Sequence, residues 1–518
     1  MMTFPRKIGV LAILVAVISA LGEIMGWALP SLRWFFSFDA DLNQVRDGFW
    51  SIHRGEIIGY TSCALLGLLG LVLIGRGGHF QWNPLTVRKF QRFQSIGRGY
   101  TSFRLLMVLV VLSMFDQVLV GKRALAVKVD DQWVFPAFTE TRYTMADFGG
   151  EGDEEANYRQ LKEDAQELGL KVVLPFVPWD PTFDSDENME VTLPQIDGLI
   201  HHPDGKRIFE GYAYNYRADQ PEVLLRKGPI RDGKLTGPAD VFSEEGEVIG
   251  RETWKEGERV SSSFPEGHQQ AESGRWVDRI YAPLPPSLER RHYLGTDSKG
   301  WDLLAQLFGG MQVVFKGAVL YIFLTYGFGI TMGSLMGYFG GAYDLVMQRV
   351  MEIMSNVPFL LVVMIITNNI GRDNITLGTV LLIFCLFSWI SVATYLRTST
   401  FREKARDYAS AARVLGAGTT RVVFRHILPN TISTIVTLIP FSFSAVVTGL
   451  TALDFLGFGL PDAYPSWGRM LSDGVSKLDS PWIVSSVFAG MVCLLLLITF
   501  VGEAIREAFD PKKFTTYQ

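Results

Sequence analysis

Eight apolar stretches along the chain are long enough, or nearly long enough, to cross a membrane. A membrane-spanning helix needs about 20 consecutive and mainly apolar residues. The stretches are Ile8–Leu29, Ile57–Gly75, Thr101–Gly121, Val313–Tyr338, Pro358–Gly371, Leu377–Leu396, Ile432–Leu453 and Trp482–Gly502. The stretch at Pro358 is short for a full crossing, so we expect that span to begin earlier, near Val350. The pattern predicts a helical membrane protein with eight spans.

The segment between the third and fourth stretches, residues 122–312, contains no apolar run long enough to cross a membrane. Glu154–Gly169 has the apolar spacing of a helix. The Asp-Gly pairs at residues 204–205 and 232–233 predict β-hairpin turns. The sequence therefore predicts a soluble insert that combines helix with β-hairpins.

Part of this insert resembles a known repeat. The stretch Gly228–Val260 is similar to the short β-hairpin repeats of the MORN type, and the hairpins extend over about residues 198–262. The resemblance implies a surface for contact with another molecule. The alternative is a solvated β extension that carries no chemistry.

Charged residues are distributed unevenly along the chain, which has 48 Lys and Arg against 53 Asp and Glu. Acidic residues are in excess within the insert. Basic residues cluster before the first span, between the second and third, between the sixth and seventh, and after the last. Cytoplasmic loops are enriched in Lys and Arg, and eight spans place all four clusters on that side. We therefore expect cytoplasmic termini, a periplasmic insert and a lipid bilayer around the spans.

The first apolar stretch has a second interpretation. Arg6 and Lys7 precede an apolar run that ends near Ser19 and Ala20, as in a secretory signal. We favour an uncleaved anchor, but the sequence leaves cleavage open.

Several functional classes find no support in the sequence. The three cysteines, Cys63, Cys385 and Cys493, lie in apolar stretches, so the insert must fold without disulfides. No basic patch interleaved with aromatic residues indicates nucleic-acid binding. The chain lacks the Gly-x4-Gly-Lys-Ser/Thr motif of ATP hydrolysis and the motifs of zinc peptidases and serine hydrolases. We therefore expect no catalytic residue, metal site or cofactor in this polypeptide.

A basic segment, Arg402–Asn430, joins the sixth and seventh spans. We expect the sixth helix to continue through Ala412 and to be interrupted at Gly416 and Gly418. A second short helix would follow, with a threonine cap at residue 419 or 420, and end at Pro429. A cytoplasmic element held between two spans is suited to docking in a partner and transmitting rigid-body motion.

This segment resembles the signature cytoplasmic loop of binding-protein-dependent ABC importers. That loop reads Glu-Ala-Ala, three residues, Gly, and later an aliphatic residue, His and Leu-Pro. The positions that fit are Ala411, Ala412, Gly416, Val423, His426, Leu428 and Pro429. Ser410 replaces the Glu, which leaves open the contact that the Glu would make. The resemblance implies that the segment is the coupling loop, docking onto an ATPase with Ala411, Ala412, Gly416, Arg421, His426 and Pro429.

Other stretches are similar to the dipeptide and oligopeptide branch of these permeases, namely His292–Asp302, Gly337–Gly341 and Pro465–Leu471. Trp133–Gly150, Leu453–Pro461 and Gly502–Pro511 resemble the second permease of Yej-type importers. The similarity covers about Arg92–Gln195 and Leu284–Phe514. The first two spans and residues 196–277 lie outside it.

The resemblance implies a six-span permease core, made of residues 101–121 and 313–518, to which residues 1–100 add two spans and a basic linker. It implies an importer of peptides or peptide-like compounds, microcin C included, in the bacterial cytoplasmic membrane. The expected partners are separate ATPase subunits that carry ATP and Mg, a sister permease in a heterodimer, and a periplasmic substrate-binding protein.

Two residues near the outer end of the seventh span are candidates for the translocation path, Thr448 and Asp454. An acid within a membrane often marks a substrate pathway, although an acid near the end of a span can also reach water.

Two other functions stay open at this point. An ion-driven secondary transporter would show inverted repeats with broken helices, and the spans show neither clearly. A membrane-anchored assembly or binding module would work through the insert, but two spans would suffice to anchor it.

Overall fold

A computed structural model describes residues 4–25, 49–76, 84–114, 116–129, 132–139, 141–150, 155–166, 168–185, 189–202, 205–217, 223–243, 247–263, 274–280, 282–371 and 375–509. They form two compact units. The helical unit comprises Met1–Asp184, Pro285–Gly295 and Trp301–Gln518. The β unit comprises Ser185–Leu284 and Thr296–Gly300. Residues of the predicted insert therefore belong to both units.

The helices are α1 (Phe4–Ile24), α2 (Phe49–Arg76), α3 (Pro84–Ser95), α4 (Gly97–Ser113), α5 (Asp116–Leu119), α6 (Tyr158–Glu163), α7 (Leu303–Phe339), α8 (Gly341–Asn356), α9 (Phe359–Ile370), α10 (Leu377–Lys404), α11 (Asp407–Val414), α12 (Thr419–Arg421), α13 (Leu428–Phe455), α14 (Trp467–Ser476) and α15 (Pro481–Phe509).

The strands are β1 (Ala126–Val129), β2 (Gln132–Val134), β3 (Lys171–Val173), β4 (Met189–Thr192), β5 (Gln195–Ile196), β6 (Leu199–Ile200), β7 (Gly211–Arg217), β8 (Leu224–Arg231), β9 (Lys234–Leu235), β10 (Gly237–Phe242), β11 (Val248–Lys255), β12 (Glu258–Ser263) and β13 (Gly274–Ile280).

Four helices in the described part of the chain are long and apolar enough to cross a membrane: α7, α10, the Ile435–Phe455 part of α13, and α15. Two bent pairs raise the number to six if each pair is one span. They are α3 with α4, bent by 95°, and α8 with α9, bent by 72°. The chain is thus mostly helical with several candidate spans. Helices α1 and α2 lie where the first two spans are predicted, and their crossing of the membrane stays a prediction.

Three predicted spans differ from the helices. The third does not reach Gly121, because α4 ends at Ser113 and the Gly121 N–H donates to the Val177 carbonyl oxygen at 3.1 Å. The fourth begins earlier, at Leu303, because Asp302 Oδ1 accepts from the Ala305 N–H at 2.8 Å and caps the helix. Hydropathy measures only how apolar a stretch is, so it does not locate helix ends that are set by such hydrogen bonds.

The fifth predicted span is a bent helix pair. Val357, between α8 and α9, has extended backbone angles (φ −77°, ψ 123°). The residue before a proline is driven out of the helical region by the proline ring, and Pro358 follows it. The span therefore contains the residues near Val350, as expected, but in a separate helix.

Glycines on one face of α7 allow α10 to approach closely. A Cβ on Gly329 would lie 2.8 Å from Val392 Cβ, and one on Gly333 would lie 2.3 Å from the Ala393 carbonyl oxygen. A Cβ on Gly337 would lie 2.6 Å from the Arg397 carbonyl oxygen. Lipid gives helices little hydrophobic reason to associate, so close packing over small residues supplies much of the attraction. We call Gly329, Gly333 and Gly337 the glycine face.

The β unit is built on an antiparallel sheet in the order β12-β11-β10-β8-β7-β13-β4, with β9 paired to β8. The turn between β8 and β9 has Asp232 at φ 49° and Gly233 at φ 73°, the left-handed geometry that favours Asp-Gly. This hairpin is confirmed. In the other predicted turn Asp204 lies outside the described residues; beside it the His202 N–H donates to the Arg207 carbonyl oxygen at 2.8 Å, and His201 pairs with Ile208 in an antiparallel bridge. The MORN resemblance stays a prediction.

Replacing Gly333 with alanine should lower the free energy of unfolding by about 1–3 kcal/mol, the usual cost of overpacking a tight contact. Thermal unfolding of the detergent-solubilised protein measures this. Gly327→Ala is the matched control on the same helix, since its Cβ would meet no heavy atom within 4 Å. Alanine is the better helix former, so the control should be as stable as the parent or more so. Equal losses in both variants would contradict the glycine-face assignment.

Candidate functional site

The segment Arg402–Asn430 begins with a break that the sequence did not predict. Helix α10 ends at Lys404 and a separate helix, α11, begins at Asp407, so the helix does not run on through Ala412. The turn is held by Glu403, which is buried at 5% exposure. Its Oε2 accepts from the Tyr408 hydroxyl at 3.0 Å and lies 3.1 Å from Arg406 Nε. Burial raises the pKa of the Tyr408 phenol, which keeps that hydroxyl a donor.

The two predicted breaker glycines lie where the helices stop and start. Helix α11 ends at Val414, and Gly416 follows with φ 82°, a conformation that favours glycine. Gly418 is the residue that precedes α12, so Thr419 lies inside the helix. No side chain caps α12 among the described residues. The predicted threonine cap is therefore wrong, because glycine already occupies the capping position.

Pro429 does not end a helix as predicted. Val422–Ile427 forms a π-helical turn that leads directly into α13, and Pro429 lies in the first turn of α13. A proline is tolerated there because the first-turn N–H groups have no partner within the helix. The Leu428 N–H donates to the Val423 carbonyl oxygen and closes the wide turn. The segment is therefore continuous with the seventh predicted span.

One face of the segment is buried against the helical unit. Ala409, Ala412, Val422 and Ile427 are 0–8% exposed and form one cluster, with Tyr338 of α7 packed on it. The Lys404 ammonium group donates to the backbone carbonyl oxygen of this tyrosine. The segment is thus attached to α7 as well as to its own flanking helices, α10 and α13.

An ion pair between buried Asp344 of α8 and half-buried Arg397 of α10 joins these two helices. Arg397 donates to both carboxylate oxygens of Asp344, with Nη2 2.6 Å from Oδ2. Gln348 donates to the same carboxylate at 2.9 Å. A bidentate pair of this kind fixes orientation as well as distance. The pair therefore joins α10 to α8 at this position.

The opposite face of the segment is exposed. Of the predicted docking residues, Ala411, Gly416, Arg421 and Pro429 are exposed, His426 is half-buried and Ala412 is buried. The site also includes two residues that the sequence analysis missed. Val414 and Leu415 are each 87% exposed at the end of α11. The sequence did carry a signal for them, because the two residues are an apolar pair directly before a helix-breaking glycine in an otherwise basic segment.

The candidates for the translocation path differ in their surroundings. Asp454 is 6% exposed, and its Oδ1 accepts from the Leu460 N–H at 2.6 Å while Oδ2 accepts from the Ser466 hydroxyl at 2.5 Å. These bonds fold the loop after α13 and join it to the start of α14. Thr448 is exposed and donates to the Ser444 carbonyl oxygen at 2.9 Å. The contacts of Asp454 are those of a residue that organises a loop.

Within the described residues, no group of three or more His, Cys, Asp or Glu side chains is placed to hold a metal ion.

The chain is similar to known transport proteins. The family described as "Binding-protein-dependent transport system inner membrane component" matches residues 329–515, which include the whole segment Arg402–Asn430. The peptidoglycan transport system permease protein YejE of Agrobacterium fabrum is 29% identical over 433 residues, 83% of this chain and 94% of that protein. The inner membrane ABC transporter permease protein YejE of Escherichia coli is 27% identical, with 83% of this chain and 98% of that protein covered. The oligopeptide transport system permease protein OppC of Escherichia coli is 34% identical over 231 residues, 44% of this chain and 74% of that protein.

Replacing Asp454 with asparagine should lower the free energy of unfolding by about 1–3 kcal/mol, because a buried donor loses its acceptor. Asp479→Asn, at an exposed acid in the next loop, should leave stability unchanged. Thermal unfolding of both purified variants gives the comparison. An Asp454→Asn protein as stable as its parent but inactive in transport would argue for a role in the path instead.

Proposed function

This chain belongs to the family of inner membrane components of binding-protein-dependent transport systems, and we propose that it is a permease subunit that moves peptides or peptide-like compounds inward. The cargo class rests on the names of its relatives, which are peptidoglycan and oligopeptide transport permeases. The same comparisons favour a permease over an ion-driven transporter or an anchored assembly module.

The exposed face of Arg402–Asn430, the coupling loop, carries the proposal. Val414 and Leu415 present apolar side chains to solvent beside the small residue Ala411. Exposed apolar groups in a cluster mark a surface for a partner. We assign that partner as the ATPase subunit, which holds the ATP and Mg that this chain has no motif to bind.

The buried face of the coupling loop supports a role in transmission. Force applied at Leu415 reaches α10 and α13 through the chain, and it reaches α7 through the bond between Lys404 and Tyr338. The Arg397–Asp344 pair extends the connection to α8. A rigid element attached to four helices moves them together, as alternating access requires.

The other partners follow from the family and from exposed surface. Leu345, Val346 and Ile353 of α8 are 61–68% exposed. We assign this helix face to lipid or to a sister permease that completes the translocation path. A substrate-binding protein would deliver cargo on the opposite side of the membrane.

The proposed orientation places the coupling loop in the cytoplasm and the β unit in the periplasm. It rests on the four basic clusters, which mark cytoplasmic loops.

Single cysteines test the orientation in a chain whose Cys63, Cys385 and Cys493 have been replaced. Ser262→Cys, on the exposed strand β12, should react with a membrane-impermeant maleimide in intact spheroplasts. Ser410→Cys, on the exposed face of α11, should react only after lysis. The reverse pattern would overturn the orientation, and labelling of both in spheroplasts would overturn the span count.

Replacing Val414 and Leu415 together with serine should weaken binding of the ATPase subunits at least about tenfold, since burying each apolar side chain contributes about 1.5–3 kcal/mol. The affinity of purified ATPase subunits for the permease in lipid nanodiscs measures this, with ATP-driven uptake as the second reading. Leu288→Ser, at a leucine that is 82% exposed outside the coupling loop, is the control. Unchanged affinity in the double variant would exclude this face as the docking surface.

A further inference from the structure

A pocket of about 540 Å³ lies in the helical unit between the end of α9 and the loop that follows α13. Its lining includes Asn368 and Asn369 of α9, Ile375 before α10, and Gly457 and Phe458 of the loop. The volume falls within the range of small-ligand sites. By the proposed orientation, the pocket opens on the periplasmic side, where cargo would arrive.

The chemistry of the pocket is that of amides and apolar groups. None of the described residues that line it is charged. The Asn369 amide nitrogen donates to the Ile365 carbonyl oxygen at 2.8 Å, which leaves the side-chain oxygen as an acceptor. Asn368 is exposed and has both a donor and an acceptor to offer. A Cβ on Gly457 would meet no heavy atom within 4 Å, so the backbone there is open to a ligand.

The loop wall of the pocket is held in place from behind. Asp454 accepts hydrogen bonds from the Leu460 N–H, within the loop, and from the Ser466 hydroxyl, at the start of α14. Gly459 has no room for a side chain, because a Cβ there would lie 1.7 Å from Asp454 Oδ1. A wall fixed in this way loses little entropy when a ligand binds.

We propose that this pocket binds a stretch of peptide backbone, with Asn368 pairing with a peptide group and Ile375 and Phe458 contacting the adjacent side chains. An amide side chain offers one donor and one acceptor to a peptide group, which has one of each. The inference rests on the proposed function, and the contact with Asn368 would be made to the peptide backbone of the cargo, which is common to all peptides.

The test uses the whole importer, reconstituted in lipid vesicles with its ATPases, sister permease and binding protein. The probe is radiolabelled tetra-alanine, and ATP hydrolysis is measured in the same vesicles. Asn368→Leu should reduce uptake about three- to tenfold, the effect of one lost hydrogen bond. ATP hydrolysis stimulated by the binding protein should stay within about twofold of the parent. Asn368→Gln should restore most uptake, and Asn356→Leu, at an exposed amide outside the pocket, should have no effect.

A photo-crosslinker in place of Ile365, on the pocket wall, identifies the occupant. Crosslinking to the tetra-alanine probe supports the inference. Crosslinking to the sister permease alone overturns it, as does normal uptake by Asn368→Leu or a parallel loss of uptake and ATP hydrolysis. If the parent importer hydrolyses ATP but moves no tetra-alanine, it is the peptide assignment of the proposed function that fails.

Discussion

The close contact between α7 and α10 is the constraint on which the rest of the helical unit depends. In a bilayer, helices gain little from burying apolar surface against each other, so backbone approach has to supply the attraction. Because the three residues of the glycine face have no side chain, the backbone of α7 lies close to atoms of α10 at three successive turns. Similar pairs recur elsewhere, as at Gly99, whose Cβ would lie 2.0 Å from Ala504 Cβ. Helices packed this closely have little freedom to move independently of each other.

The close packing of these helices bears on the role proposed for the coupling loop. The loop is anchored at Tyr338, at the end of α7, and α10 is clamped to α8 by Arg397 and Asp344. Both anchors lie at the same end of these helices, next to the glycine face. Under the proposed function, a displacement at the exposed end of α11 would be shared by the helices that these contacts join. The bend between α8 and α9 and the loop fixed by Asp454 are the places where such a displacement would change the conformation of the chain.

Much of this architecture was predictable, and what escaped prediction has a common cause. Hydropathy located Leu377 as the start of α10, because a spanning helix must be apolar. Hydropathy did not predict the helix end at Lys404, because a helix can continue beyond the lipid with polar residues, and its end then depends on local hydrogen bonds. Gly416 was identified because its backbone conformation follows from local sequence. The roles of Asp454 and Leu415 depend on which face each side chain occupies after packing, and no local pattern carries that information.

The π-helical turn at Val422–Ile427 has a consequence for how such permeases diverge. A wide turn holds one more residue than an α-helical turn in the same place. Loss of a single residue there would restore a regular helix and leave the side chains of α13 on the same faces, whereas the same loss within the regular part of α13 would rotate the side chains beyond it by about 100°. The turn at Val422–Ile427 is therefore a place where this connection can change length by one residue while α13 keeps its packed face.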